Sequence, residues 1–103
     1  MATFGITAVR WSEDQRRAVY VQIREIDPVA KVWLGEPKLV FAHTVAKWLL
    51  GGDTVMTIFE PEENVRILGM NVKYVEYPGG NEGIETGPTM FPPGWGLSDL
   101  PHF

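Results

Sequence analysis

The clearest pattern in the chain lies at residues 17–26, RAVYVQIREI, where Val19, Val21 and Ile23 alternate with Tyr20, Gln22 and Arg24. Strand side chains point to opposite faces in turn, so this is a strand with one face buried. FGITAVRW at residues 4–11 reads as its partner, with the polar SEDQ between them as the turn of a hairpin. Asp27-Pro28 ends the ladder, because proline brings no N–H donor. The following VAKVWLGEPKLVF reads equally as one short strand or as two, interrupted at Gly35-Glu36-Pro37.

From about His43 the period lengthens. Phe41, Val45, Trp48 and Leu49 fall on one stripe at helical spacing, and Gly51-Gly52 supplies the stop. So short a helix does not persist alone and must pack on the sheet. DTVMTIFE at residues 53–60 reads as a strand, PEEN as a turn, and VRILGMNVKYVEY as one long or two short strands. YPGGNEGIETG is loop with a short strand around Ile84. The expected architecture is a single α+β domain over residues 1–103. It has a small, mostly antiparallel sheet of roughly four to six strands, one short helix packed on it, and an irregular strap at 88–103.

That last stretch, PTMFPPGWGLSDLPHF, is too rich in proline and glycine to run as a helix or a central strand, yet it carries Phe91, Trp95, Leu97, Leu100 and Phe103. Disordered segments are poor in such residues, so this one is expected to dock. Leu97, Leu100 and Phe103 recur every third residue, and a tight turn through Ser98-Asp99 would put them on one side. The five apolar residues are candidates for contact with the chain's own domain, a neighbouring subunit or another protein.

Composition narrows the function classes. Apolar residues make up 45% and charged residues 21%, as in ordinary soluble domains, so an independent core is expected. The absence of cysteine removes disulfides, thiolate nucleophiles and thiolate metal sites together. MATFGITAVR has no basic region leading into an apolar run, and no stretch is long and apolar enough to cross a bilayer, so a soluble cytoplasmic protein is expected. A formal net charge of −4 at pH 7 disfavours non-specific duplex binding. The cations Arg10, Arg16, Arg17, Arg24, Lys31, Lys38 and Lys47 nevertheless fall in the first half, which leaves room for a local basic face.

The strand Ile6–Arg10 (I-T-A-V-R), the V-x-x-W-L-x-x-G-D segment of Val45, Trp48, Leu49, Gly52 and Asp53, and the closing L-S-D-L-P-H-F from Leu97 to Phe103 resemble a family of small bacterial domains of unknown function, often found on plasmids and other mobile elements. The resemblance implies a small α+β domain and brings no activity and no catalytic residues.

Candidate chemistry is sparse. Ser98, Asp99 and His102 are reactive types, but a nucleophile, base and orienter normally converge from separate rigid segments, and these fit a local turn better. PEEN lacks the alternating ligands and glycine of a calcium loop, and His43 has no second ligand at metal spacing. PGGNEG lacks the lysine and hydroxyl of a phosphate loop. No cofactor, metal or catalytic residue is therefore expected. The leading reading is a non-catalytic accessory or protein-interaction domain, with a protein partner or self-association. The alternative is a single-stranded nucleic-acid binder that uses Tyr20 and Arg24 on one strand face with Arg10, Arg16 and Arg17 near the turn, where an aromatic stacks bases and arginines neutralise phosphate. A third reading, an enzyme whose carboxylates meet His43, requires a cleft that the sequence does not locate.

Overall fold

The structure, a computed structural model, describes residues 2–13, 17–62, 65–77, 79–86, 96–97 and 100–103. β1 (Thr3–Trp11) and β2 (Ala18–Asp27) pair antiparallel in the hairpin that their alternation predicts. The stretch after Pro28 resolves into two strands, β3 (Val32–Trp33) and β4 (Lys38–Phe41), both antiparallel to β2. Between β2 and β3 the Asp27 carboxylate accepts the N–H groups of Val29 and Ala30, and Lys31 closes the turn in the left-handed region at φ 58°. Helix α1 (Ala42–Leu50) follows β4 without a loop.

A helix between two strands of one sheet returns the chain to the end it came from, so the next strand runs parallel. β5 (Thr54–Glu62) accordingly adds to the far side of β1 in parallel register, Thr3 to Ile6 against Thr54 to Thr57. The sheet is therefore mixed rather than mostly antiparallel, a correction to the sequence-based expectation. β6 (Val65–Asn71) pairs antiparallel with β5, so β5 runs through part of the PEEN segment that was read as a turn. The described strands of this sheet run β3–β2–β1–β5–β6, with β4 beside β3 on β2.

The chain turns out of the sheet at Val72, which is buried and donates its N–H to the Val55 carbonyl. β7 (Lys73–Tyr77) and β8 (Asn81–Glu85) then form a separate hairpin. Its turn carries Gly79 and Gly80 at φ 92° and 82°, which only glycine adopts without strain. The hairpin packs on α1, and the core lies between these elements and one face of the sheet. Ile6, Val9, Val21 and Ile23 meet Val45, Ala46 and Ile84 there.

The final residues complete this core. Leu97 and Leu100 are each 2% exposed within it, and the Leu100 N–H donates to the Leu97 carbonyl, the tight turn expected from their spacing. Past that turn the chain lies along β1: the Val9 N–H donates to the Pro101 carbonyl (2.9 Å) and the Phe103 N–H to the Val9 carbonyl (3.2 Å). The described part of the strap thus closes on its own chain. Phe103, the third member of the repeat, stays 45% exposed.

On the opposite face, β1 and β5 approach closely at Gly5, where an added Cβ would lie 2.2 Å from Cγ1 of the buried Ile58. Two stability measurements follow. Leu100→Ala should cost about 2–5 kcal/mol in urea unfolding, the usual range for emptying a core leucine. Gly5→Ala should cost about 1–3 kcal/mol through overpacking, and much less in an Ile58→Ala background; equal costs in both backgrounds would contradict the contact.

Candidate binding site

Arg10, Tyr20 and Arg24 do share the outer face of the hairpin, as alternation predicts, with Arg10 opposite Tyr20 and Arg24 opposite Gly5. They do not form one open patch. Arg24 turns inward: its Nε donates to the Gly35 carbonyl and its guanidinium lies over the Trp33 ring at 5.1 Å. Arg66 lies over the same ring at 5.6 Å, its Nη1 donates to the Lys31 carbonyl, and its Nε is 3.9 Å from the Glu60 carboxylate. Trp33 with its two arginines is a clamp that fixes the β2–β4 connection, so Arg24 is a structural residue. Arg10 lies beside Phe103 at 6.0 Å, and Arg16 lies outside the described residues.

Of the apolar candidates in the strap, Leu97 and Leu100 are core residues and present no surface to a partner. Phe91 and Trp95 lie outside the described residues, as do Ser98 and Asp99. His102 is exposed, bridges β1 at Val9, and its ring is 6.0 Å from that of Trp11.

The structure assembles a different constellation. Tyr20 and Phe41 are cross-strand neighbours with ring centroids 4.5 Å apart, and the other neighbour of Phe41 is His43, at 5.0 Å and 16° between planes. This aromatic stack leads from the outer sheet face to the first turn of α1. There it borders a cleft of about 480 Å³ between the start of β2, the start of α1 and the β7–β8 turn. Arg17, His43, Lys47, Tyr77 and Glu82 line it. Arg17 lies over the Tyr77 ring at 4.4 Å, and among the described residues neither Arg17 nor Lys47 has an ion-pair partner. Burial pushes the Tyr77 phenol above its ordinary 10.0; Arg17 partly opposes this and Glu85 adds to it.

His43 borders this cleft, and Glu82 lines it too; no contact between the His43 ring and a carboxylate is present among the described residues. Phe41, Lys47 and Tyr77 were not foreseen as site residues. Strand alternation through Leu39 would have placed Phe41 on the outer face beside Tyr20, whereas helical spacing put it on the buried stripe. Among the described residues no cluster of three or more His, Asp or Glu side chains is placed to hold a metal ion, and no helix is long and apolar enough to cross a membrane. Comparison with known proteins finds no matching family model, curated protein or solved structure.

The clamp and the phenol each generate an expectation. Arg24→Ala should lower stability by about 1–3 kcal/mol, as loss of a charge-assisted hydrogen bond and a cation–π contact does, and a double-mutant cycle with Trp33→Ala should show a coupling of about 0.5–1 kcal/mol, the cation–π part alone. Because folding raises the Tyr77 pKa, the folded state holds a proton that the unfolded chain releases. The stabilisation is present below about pH 10 and is lost as pH rises through the folded pKa. Alkaline unfolding should therefore be shallower in Tyr77→Phe, and an unchanged profile would remove Tyr77 as a contributor.

Proposed function

We propose that the protein is a non-catalytic interaction domain that docks through the β3–β4 edge of its sheet, and that the partner this edge fits is a second copy of the chain. One observation carries the reading. Val29, Val32, Leu34, Leu39 and Phe41, five of the large apolar residues exposed among the described residues, fall between the end of β2 and the start of α1, with Val32, Leu39 and Phe41 on the two edge strands and Leu39 65% exposed. Single exposed apolar residues need no explanation, but a contiguous group marks an interaction surface.

The backbone supports the same reading. Among the described residues β3 and β4 pair only with β2, so their outer edge is unpaired, and such a row of N–H and C=O groups is a template for another strand. Self-pairing has a charge argument as well. The exposed Glu36 and Lys38 flank Pro37 between β3 and β4, so two copies laid antiparallel about this point bring each Glu36 near the partner's Lys38 while β4 supplies the edge hydrogen bonds. Leu39 and Phe41 then continue the apolar row of one sheet onto the next.

The single-strand reading on the hairpin face has less support, since Arg24 is held in the clamp. Edge docking is tested by light scattering on the purified chain over a range of concentrations. The expected result is a mass that rises from monomer to dimer with concentration, and a Leu39→Glu variant that stays monomeric while keeping its unfolding midpoint. A chain that remains monomeric up to about 1 mM, where even a weak dimer would form, overturns the self-pairing.

A further inference from the structure

We infer that the cleft at the start of α1 is a binding site for a nucleotide, held by its phosphate and its base. This goes beyond edge docking and shares only Phe41 with that edge. The volume of about 480 Å³ lies in the range of small-molecule sites, roughly 300–1,000 Å³.

Charge is the first argument. The chain as a whole carries −4, yet the cleft brings together Arg17 and Lys47 with His43, and among its described lining residues the one carboxylate is that of Glu82. The cations come from β2's approach and from α1, so two walls converge on one anion. Arg17 is held at the cleft by its contact with the Tyr77 ring, and its guanidinium carries donors that suit two oxygens of a phosphate. Lys47, on the exposed face of α1 one turn after His43, adds a movable point charge.

Ring geometry is the second argument. Phe41 stacks with both Tyr20 and His43, so it supports the stack rather than receiving a base. His43 ends the stack, is exposed, and lines the cleft; the face it turns away from Phe41 is where a base would continue the column. Glu82 on the opposite wall supplies an acceptor for sugar hydroxyls or an exocyclic amine. A bare anion would gain nothing from it.

The shared chemistry is that of a nucleotide, free or within a single strand, and the experiment separates these sources. Chemical shifts of the full chain are followed during titration with adenosine monophosphate, adenosine, inorganic phosphate and a short thymidine oligonucleotide. Saturable binding of the monophosphate is expected, weakened by salt, with shifts centred on Arg17, His43 and Lys47. Adenosine and inorganic phosphate should each bind at least about tenfold more weakly, since each keeps only one of the two contacts. An oligonucleotide that binds the same residues more tightly than the monophosphate identifies the strand as the source, and one that binds no better identifies the free nucleotide. Lys47→Ala, on an exposed helix face, and Arg17→Ala should each weaken binding about tenfold with the fold intact by the same spectra. Absence of saturable binding of both nucleotide forms overturns the inference. So does phosphate binding as tightly as the monophosphate, or binding unchanged in both variants.

Discussion

The fold depends on β1 being hydrogen-bonded along both edges. β2 covers one edge for most of its length, whereas the other is shared between two segments that are far apart in sequence. β5 pairs with it only to Ile6 and then diverges toward β6, and the closing residues take the position at Val9. The extra residue of β1 at Thr7 makes this division possible. Peptide groups alternate direction along a strand, and Ala2 already turns its carbonyl to β5. A regular strand would turn the N–H and C=O of Val9 toward β2; the bulge reverses the parity, so they meet the strap while the Val9 side chain stays in the core with Ile6. Removing the strap would leave these buried polar groups unpaired and open the space that Leu97 and Leu100 fill, two penalties imposed at one place.

The parts of this arrangement legible in the sequence are those set by local periodicity. The alternation of Val21 to Arg24 identified β2 and its two faces, and the three-residue spacing of Leu97 and Leu100 anticipated their common burial; Val19, expected on the buried face, is instead skipped where the register shifts and lines the cleft, with Ala18 buried beside it. The parallel pairing of β1 with β5 was not legible, because it is set by where the helix returns the chain and not by any pattern within either strand. The bulge at Thr7 was equally hidden, since T-A-V carries no glycine or other local mark of an extra residue.

The aromatic and the arginines of the first hairpin were legible in the sequence, and their surroundings were not: Tyr20 stacks on Phe41, and Arg24 is held by Trp33 and Gly35. What alternation could not show is that β4 would lie beside β2 and bring Phe41 onto Tyr20, or that β3 would offer Trp33 and the Gly35 carbonyl to Arg24. Arginine on a strand face is ambiguous for this reason: its long side chain reaches whichever acceptor the neighbouring loop supplies, and the neighbour is a matter of topology. Phe41 was assigned to the helix stripe because β4 runs into α1 with no loop, so one residue satisfies both periods.

Phe41 consequently belongs to two surfaces. It ends the exposed edge strand, and it supports the His43 ring that borders the cleft. A partner strand laid against β4 would change the packing around that ring, and a base stacked on His43 would restrict it from the other side. Whatever one occupant does to the affinity of the other must be returned in equal measure, because the coupling free energy belongs to the pair of sites and not to either ligand. Its sign follows from the ring: an occupant that holds Phe41 in the stacked position removes an ordering cost from the second binding event, and one that draws it out of the stack adds that cost. With no loop between strand and helix to absorb a movement, the two surfaces have no means of acting independently through this residue.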